Sequence, residues 1–134
     1  MLDLKALLAK ILDALKVDYV VEEGTINTYT KYRKWNSGIA ECWYYRNVEG
    51  VTTAVWSGTL AYKDVTASSI QTMWQGLFNA TPINIHCQSL QSQFIAIIPY
   101  SYTVNGISNL RYLSWGTKSN QNVPTAIYAK GTWK

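Results

Sequence analysis

The hydrophobic period of this sequence changes once, at Glu22-Glu23-Gly24, and the change divides the chain into two parts. From Met1 to about Val17, Leu, Ala and Lys run without Gly or Pro, which predicts an α-helix. After the change, short runs rich in β-forming residues are separated by Gly, Asn and Pro. We therefore predict a helix and linker over residues 1–22 and one recognition domain over residues 23–134. The fold class is mainly β: an antiparallel β-sandwich of about six to eight strands preceded by a short N-terminal helix.

The β segment contains a series of strand candidates. They are about Ile26–Trp35, Ile39–Tyr45, Val51–Trp56, Thr59–Tyr62, Ile83–Cys87, Phe94–Tyr102, Leu110–Trp115 and Thr125–Trp133. The turn residues Asn36-Ser37-Gly38 between the first two candidates indicate a hairpin. Alternation predicts that Ile83, Ile85 and Cys87 share one face. The segment Ser69–Phe78 has helical spacing interrupted by glycine, which permits a single turn or a strand edge.

The N-terminal helix has a heptad seam of apolar residues. The seam consists of Met1, Leu4, Leu8, Ile11 and Leu15. Leucine at the a positions and isoleucine at the inner d position favour three or four helices over two. Because a helix of this length is marginal in water by itself, its leucines need a partner. That partner is either further copies of the chain, in a homotrimer, or the chain's own sheet; we predict the homotrimer.

Charge and hydropathy exclude two classes of partner. All eight acidic residues and eight of the twelve basic residues lie in residues 1–64. The later basic residues are Arg111, Lys118, Lys130 and Lys134. They are too sparse for a groove that follows a phosphate backbone, so we expect no nucleic-acid partner despite the net charge of +4. The apolar runs are too short for a membrane span, and the N-terminus lacks a signal-peptide cleavage pattern, so we expect no membrane insertion.

The residues that commonly perform catalysis or bind metals are few. Glu41 is the one carboxylate that merits consideration for glycoside hydrolysis, and a salt bridge is its commoner fate. His86 is expected on a strand surface, with Cys87 facing the other way, which argues against a Cys/His pair. With Cys42 they supply at most three nitrogen or sulfur ligands, too few for a structural zinc site, and both thiols are expected to be buried and free. We predict that the protein is not an enzyme and has no metal or cofactor.

Trp and Tyr are abundant, with six Trp and ten Tyr against two Phe. Amphipathic rings suit both sugar stacking and protein interfaces, although a small β domain also uses them in its core. Trp115 ends a strand and precedes the polar segment Gly116–Asn122, and loops often carry function. We predict a ligand site formed by Trp115, Tyr112, Lys118 and Asn120.

Two segments resemble a known class of proteins. Lys34-Trp35-Asn36-Ser37-Gly38-Ile39-Ala40-Glu41-Cys42-Trp43 resembles a segment of tail-fibre and receptor-binding proteins from bacteriophages and prophages of Gram-positive bacteria. Ala126-Ile127-Tyr128-Ala129-Lys130-Gly131-Thr132-Trp133-Lys134 resembles the terminal strand of the same proteins. The resemblance implies a trimeric tail-fibre tip in the virion, synthesised in the bacterial cytoplasm without a signal peptide. Such a tip attaches to a host cell-surface glycan or cell-wall polymer and contacts other tail proteins. The alternative is a purely structural tail or baseplate protein that binds no sugar.

A weaker similarity to the H-type lectin fold covers Pro82 to Trp133. Pro82-Ile83-Asn84-Ile85 is similar to a strand that follows a proline, Asn105-Gly106-Ile107 to a turn before a strand, and Trp115 to an aromatic residue near the sugar site. The similarity implies a six-stranded antiparallel sandwich that assembles as a trimer. The arginine with which those lectins bind sugar has no counterpart in Phe94–Tyr102.

Overall fold

A computed structural model describes residues 3–134, which form a short helix followed by two antiparallel sheets. The helices and strands, in chain order, are α1 (Leu4–Ala14), β1 (Val20–Asn27), β2 (Thr30–Trp35), β3 (Ile39–Val51), β4 (Ala54–Ser57), β5 (Leu60–Val65), α2 (Ser68–Gln71), β6 (Asn84–Ser89), β7 (Phe94–Tyr102), β8 (Ile107–Trp115) and β9 (Gln121–Thr132). The strand orders are β1-β2-β3-β9-β6 and β4-β5-β8-β7. The apolar core lies between the sheets, so the predicted antiparallel β-sandwich after a short helix is confirmed.

Residues 3–134 contain nine strands rather than six to eight, because the first candidate, about Ile26–Trp35, is a hairpin. β1 ends at Asn27, whose Oδ1 accepts a hydrogen bond from the backbone N–H of Tyr29 at 2.9 Å. This Asx turn reverses the chain without glycine or proline, so alternation alone does not reveal it. β1 also begins at Val20, which places the predicted boundary between residues 22 and 23 inside a strand.

The other strand predictions hold with shifted ends. The hairpin across Asn36-Ser37-Gly38 is confirmed, since β2 and β3 pair on either side of it. Val51, predicted to start a strand, instead ends the long β3. Ile85 and Cys87 face the core as expected, but Ile83 precedes β6 and is 85% exposed, so its predicted place on their face is wrong.

The segment that follows β5 closes one end of the core. α2 is a single helical turn, which is one of the two structures predicted for this region. The buried apolar side chains of α2 and the turns after it are Ile70, Met73, Trp74, Leu77 and Phe78. The indole Nε1 of Trp74 donates to the carbonyl O of Thr103 at 2.9 Å, so its buried polar edge is satisfied. Gly106 lies directly against α2, where a Cβ atom would collide with the carbonyl O of Gln71.

α1 leaves the sandwich with its apolar stripe exposed. The side chain of Asp3 caps the helix, accepting hydrogen bonds from the backbone N–H groups of Lys5 and Ala6. The seam residues Leu4, Leu8, Ile11 and Leu15 are 72%, 56%, 47% and 66% exposed. Met1, the first residue of the seam, lies outside the described residues. The chain's own sheet therefore does not cover this stripe, and the alternative in which α1 packs on its own domain is wrong.

Hydrogen bonds tie the end of α1 to the turn between β2 and β3. Asp13 Oδ1 accepts from Asn36 Nδ2 and from Tyr19 Oη, each at 3.1 Å. The carboxylate of Asp18 accepts from the backbone N–H and the hydroxyl of Ser37 at 3.2 and 2.9 Å. These bonds orient the helix relative to the five-stranded sheet. No helix in the described part of the chain is long and apolar enough to cross a membrane.

Candidate functional site

The two segments singled out by their resemblance lie side by side in the five-stranded sheet. β3 pairs with β9 along most of its length, from Ile39 opposite Thr132 onward. The indole Nε1 of Trp133 also donates to the carbonyl O of Trp35 at 2.8 Å. Side chains of both segments that point away from the core therefore form one continuous surface on the outer face of this sheet.

The register of the sheet aligns one lysine and three outward-facing rings in a row, which we term the aromatic row. From β2 to β6 this row consists of Lys31, Trp43, Tyr128 and His86. The ring centroids of Trp43 and Tyr128 are 5.8 Å apart with an interplanar angle of 53°. Those of Tyr128 and His86 are 6.3 Å apart with an angle of 36°. The three rings are therefore tilted relative to one another rather than coplanar.

A second row of outward side chains, two residues further along each strand, carries charges of alternating sign. From β1 to β9 it consists of Glu23, Arg33, Glu41 and Lys130. Arg33 Nε lies 3.1 Å from a carboxylate oxygen of Glu23, and the guanidinium carbon is 5.5 Å from the ring centroid of Trp43. The aromatic row is therefore bordered by groups that can donate to and accept from the hydroxyls of a ligand.

Glu41 fixes the orientation of two aromatic side chains. Its Oε2 accepts from Tyr128 Oη at 2.7 Å and its Oε1 accepts from Trp35 Nε1 at 3.2 Å. The expected salt bridge of Glu41 is therefore wrong: its carboxylate oxygens bind a phenol and an indole instead. Burial, followed by the hydrogen bond to this carboxylate, raises the pKa of Tyr128 to about 12, so the phenol stays protonated and donates.

Trp43 stands between two shallow grooves and is 39% exposed. The first, which we term the charged groove, has a volume of about 510 Å³ and is lined by Glu23, Gly24, Thr25, Lys31, Tyr32, Arg33 and Trp43. The second, the neutral groove, has a volume of about 570 Å³, and the outward-pointing side chains that line it are Trp43, Tyr45, His86, Gln88, Ala126 and Tyr128. The same indole therefore contributes to two cavities of different chemistry.

The ligand site predicted from the sequence is not assembled as expected. Trp115 is 61% exposed at the end of β8. Tyr112 is fully buried, and its hydroxyl forms a 2.6 Å hydrogen bond with Thr125 between the sheets, so its assignment to a surface site is wrong. The reason is the period of a strand, because residues three apart point to opposite faces. Lys118 and Asn120 lie in the loop after β8, and a ligand site that they form with Trp115 stays a prediction, as an alternative to a site on the five-stranded sheet.

Trp43 and Tyr128 were missed as site residues although both lie in segments that the resemblance singled out. The signal that reveals Trp43 is its alternation with Cys42 and Tyr44, which are buried. The sequence does not tell, however, that Tyr128 lies on the neighbouring strand opposite Trp43.

A second aromatic surface covers the outer face of the four-stranded sheet. Arg111 forms a bidentate ion pair with Asp64, with N–O distances of 2.7 and 3.0 Å, and this bonding lowers the pKa of Asp64. The guanidinium carbon lies 3.7 Å from the ring centroid of Tyr100, 4.5 Å from that of Tyr62 and 4.8 Å from that of Trp56. Because the arginine is neutralised and covered, this surface is mainly apolar.

The thiols face the interior. Both cysteines are free; Cys42 is buried as predicted, whereas Cys87 is half-buried. Burial raises the pKa of each thiol to about 12, so both stay protonated at neutral pH. His86 is exposed on the other side of β6, which confirms its predicted orientation opposite Cys87. Within residues 3–134, no three His, Cys, Asp or Glu side chains are grouped so that they could hold a metal ion.

Comparisons with family models, with curated proteins and with solved structures found no match to this chain. The features that bear on function are therefore the surface chemistry of the described residues and the resemblance of the two adjacent segments.

Proposed function

We propose that this chain is an oligomeric recognition module of the phage tail-fibre or receptor-binding type that attaches to a host cell-surface glycan. The observation that carries the proposal is the exposed Trp43, which stands between two grooves and is continued by Tyr128 and His86. Aromatic rings offer apolar faces to the C–H groups of sugars, and the phenol and imidazole add hydrogen-bonding edges. The bordering carboxylate, amide and ammonium groups suit the hydroxyls of a saccharide.

The resemblance to phage proteins supports the same function. The two segments that carry it, Lys34–Trp43 and Ala126–Lys134, contribute Trp43 and Tyr128 to the row. The exposed seam of α1 supports self-association as a homotrimer, because burying its leucines requires apolar partners. Three linked copies would bind a repeating surface polymer with higher avidity than a single shallow site provides.

Two tryptophan variants test the location of the site. Trp43→Ala removes the centre of the aromatic row, and Trp115→Ala removes the residue predicted from the loop; both side chains are exposed, so both variants should fold. We expect the wild-type chain to bind members of a glycan array and host cells, Trp43→Ala to lose binding, and Trp115→Ala to retain it. Loss in Trp115→Ala with retention in Trp43→Ala would move the site to the loop after β8 and overturn the proposed location.

The outer face of the four-stranded sheet favours a second candidate, a purely structural tail or baseplate part. Trp56 and Tyr100 are 46% and 57% exposed there, around an arginine that Asp64 neutralises. Depletion of free charge with exposed aromatic residues is typical of protein interfaces. A structural part would bind neither glycans nor cells, and Tyr100→Asp would change its assembly with copies of itself or with other tail proteins, whereas Trp43→Ala would not.

A further inference from the structure

We infer that the bound saccharide carries an anionic group, a phosphate or a carboxylate, and that Lys31 binds this group in the charged groove. The inference rests on the proposed function, since it assumes that a sugar ring of the ligand stacks against Trp43. It divides the surface into two subsites, with the anionic group on the β1–β2 side of the indole and a neutral part of the ligand on the β9–β6 side.

The charges of the two grooves differ. In the charged groove, Glu23 is already paired with Arg33 at 3.1 Å, whereas Lys31 has no ion-pair partner among residues 3–134. One cation is therefore left without a counter-charge in that groove. The neutral groove presents no Lys, Arg, Asp or Glu side chain from the described part of the chain. An anionic substituent is attracted to the first groove and gains nothing in the second.

The register places Lys31 where a substituent of a stacked sugar would lie. Lys31 is directly opposite Trp43 in the pairing of β2 with β3, and such partners have Cβ atoms about 5 Å apart. On the other side, Thr25 of β1 is opposite Lys31 and lines the same groove. A ligand that contacts the indole can therefore reach an ammonium group without leaving the row. The ammonium is a flexible point charge that accommodates either phosphate or carboxylate.

The charged groove has a net positive charge. Lys31 and Arg33 are two residues apart on β2 and point to the same face, with Glu23 as the nearby acid. The Glu23 carboxylate balances the charge of Arg33 in their 3.1 Å ion pair, so the charged side chains that line the groove sum to one positive charge. A bound anion would balance the charge of Lys31.

Inorganic phosphate tests the charged groove independently of any sugar. The full chain is titrated with phosphate and followed by NMR, alongside Lys31→Gln and a control variant, Lys63→Gln, which removes an exposed strand lysine from the other sheet. We expect saturable shifts centred on Thr25, Lys31 and the Trp43 indole N–H, loss of these shifts in Lys31→Gln, and no change in Lys63→Gln. Shifts that spread over all exposed lysines, or that persist in Lys31→Gln, would overturn the inference.

A glycan array of matched pairs tests the ligand class. Each pair differs only in whether a phosphate or a carboxylate is present, so the array also separates these two sources of the anion. We expect preference for the anionic members and a roughly tenfold loss of affinity in Lys31→Gln, the size of one charge-assisted hydrogen bond. Equal binding of neutral members that Trp43→Ala abolishes and Lys31→Gln leaves intact would overturn the anionic site while the proposed function stands. Absence of binding to every member would count against both.

Discussion

Replacing Glu41 by alanine removes the acceptor of two hydrogen bonds, from Tyr128 Oη at 2.7 Å and from Trp35 Nε1 at 3.2 Å. A hydrogen bond to a charged group contributes about 1.5–3 kcal/mol when it is protected from water. Because Glu41 is only half-buried, we expect the free energy of unfolding to fall by about 2 kcal/mol for the two bonds together. Urea unfolding with linear extrapolation measures this loss.

The same substitution should weaken ligand binding without removing any ligand-stacking ring. Freed from Glu41, Tyr128 has to be immobilised again when the ligand binds, which costs about 0.5–1.5 kcal/mol. We therefore expect a roughly threefold to tenfold loss of affinity for the proposed saccharide ligand. Glu41→Gln is the matched control, because the amide can accept from Trp35 and donate to the Tyr128 oxygen. It should keep both the stability and the affinity close to those of the wild type.

The pKa of Tyr128 gives a readout that needs no ligand. It is raised from 10.0 to about 12, first by burial and then by the hydrogen bond to the Glu41 carboxylate. In Glu41→Gln we expect the pKa to fall but to stay above 10.0, since the burial remains. NMR of the labelled tyrosine ring carbon measures it. An unchanged pKa in Glu41→Gln, together with an unfolding free energy of Glu41→Ala equal to that of the wild type, would refute the orienting role of this carboxylate.

Three further predictions concern the fold and the assembly. Gly106→Ala should lower the free energy of unfolding by about 1–3 kcal/mol, measured by urea titration, because the new Cβ would collide with the backbone of α2; an unchanged midpoint would contradict this packing. Burial raises the pKa of the Cys42 and Cys87 thiols from 9.0 to about 12, so the unfolded chain loses these protons at lower pH than the folded chain. Stability should therefore fall as pH rises between about 9 and about 12, by up to ~1.4 kcal/mol per pH unit for each thiol, and Cys42→Ala should make that slope shallower. Leu8→Asp with Ile11→Asp should abolish the self-association proposed for α1 and leave a monomer in light scattering, while the circular dichroism of the β domain persists, because both side chains are exposed; a wild-type monomer at micromolar concentration would contradict that self-association.

Alternation and composition are enough to predict the class of fold and most strands. The change of period at Glu22-Glu23-Gly24 predicts a helix followed by a β-sandwich, and the turn residues at Asn36-Ser37-Gly38 predict a hairpin that the structure contains. Local pattern also predicts the opposite orientation of His86 and Cys87. These features depend on neighbours in sequence, so a sequence is sufficient to infer them. The Asx turn after Asn27 was not predicted, because an asparagine side chain, rather than glycine or proline, reverses the chain there.

The composition of the candidate site depended on the tertiary structure. Lys31 and Trp43 face each other across one hairpin, whereas Tyr128 and His86 come from strands that are distant in sequence, and the four form one row only because the strand order is β2-β3-β9-β6 in that register. Sequence alternation tells which residues share a face of their own strand, but not which strands are neighbours. Tyr112 is a different case, because alternation alone places it on the face of β8 opposite to Trp115, and the packing of the two sheets decided only that Tyr112 is the buried one of the two. The sequence by itself determined the period, the turns and the apolar seam of α1; pairing between distant strands and the packing of the two sheets decided which aromatic side chains meet at the surface.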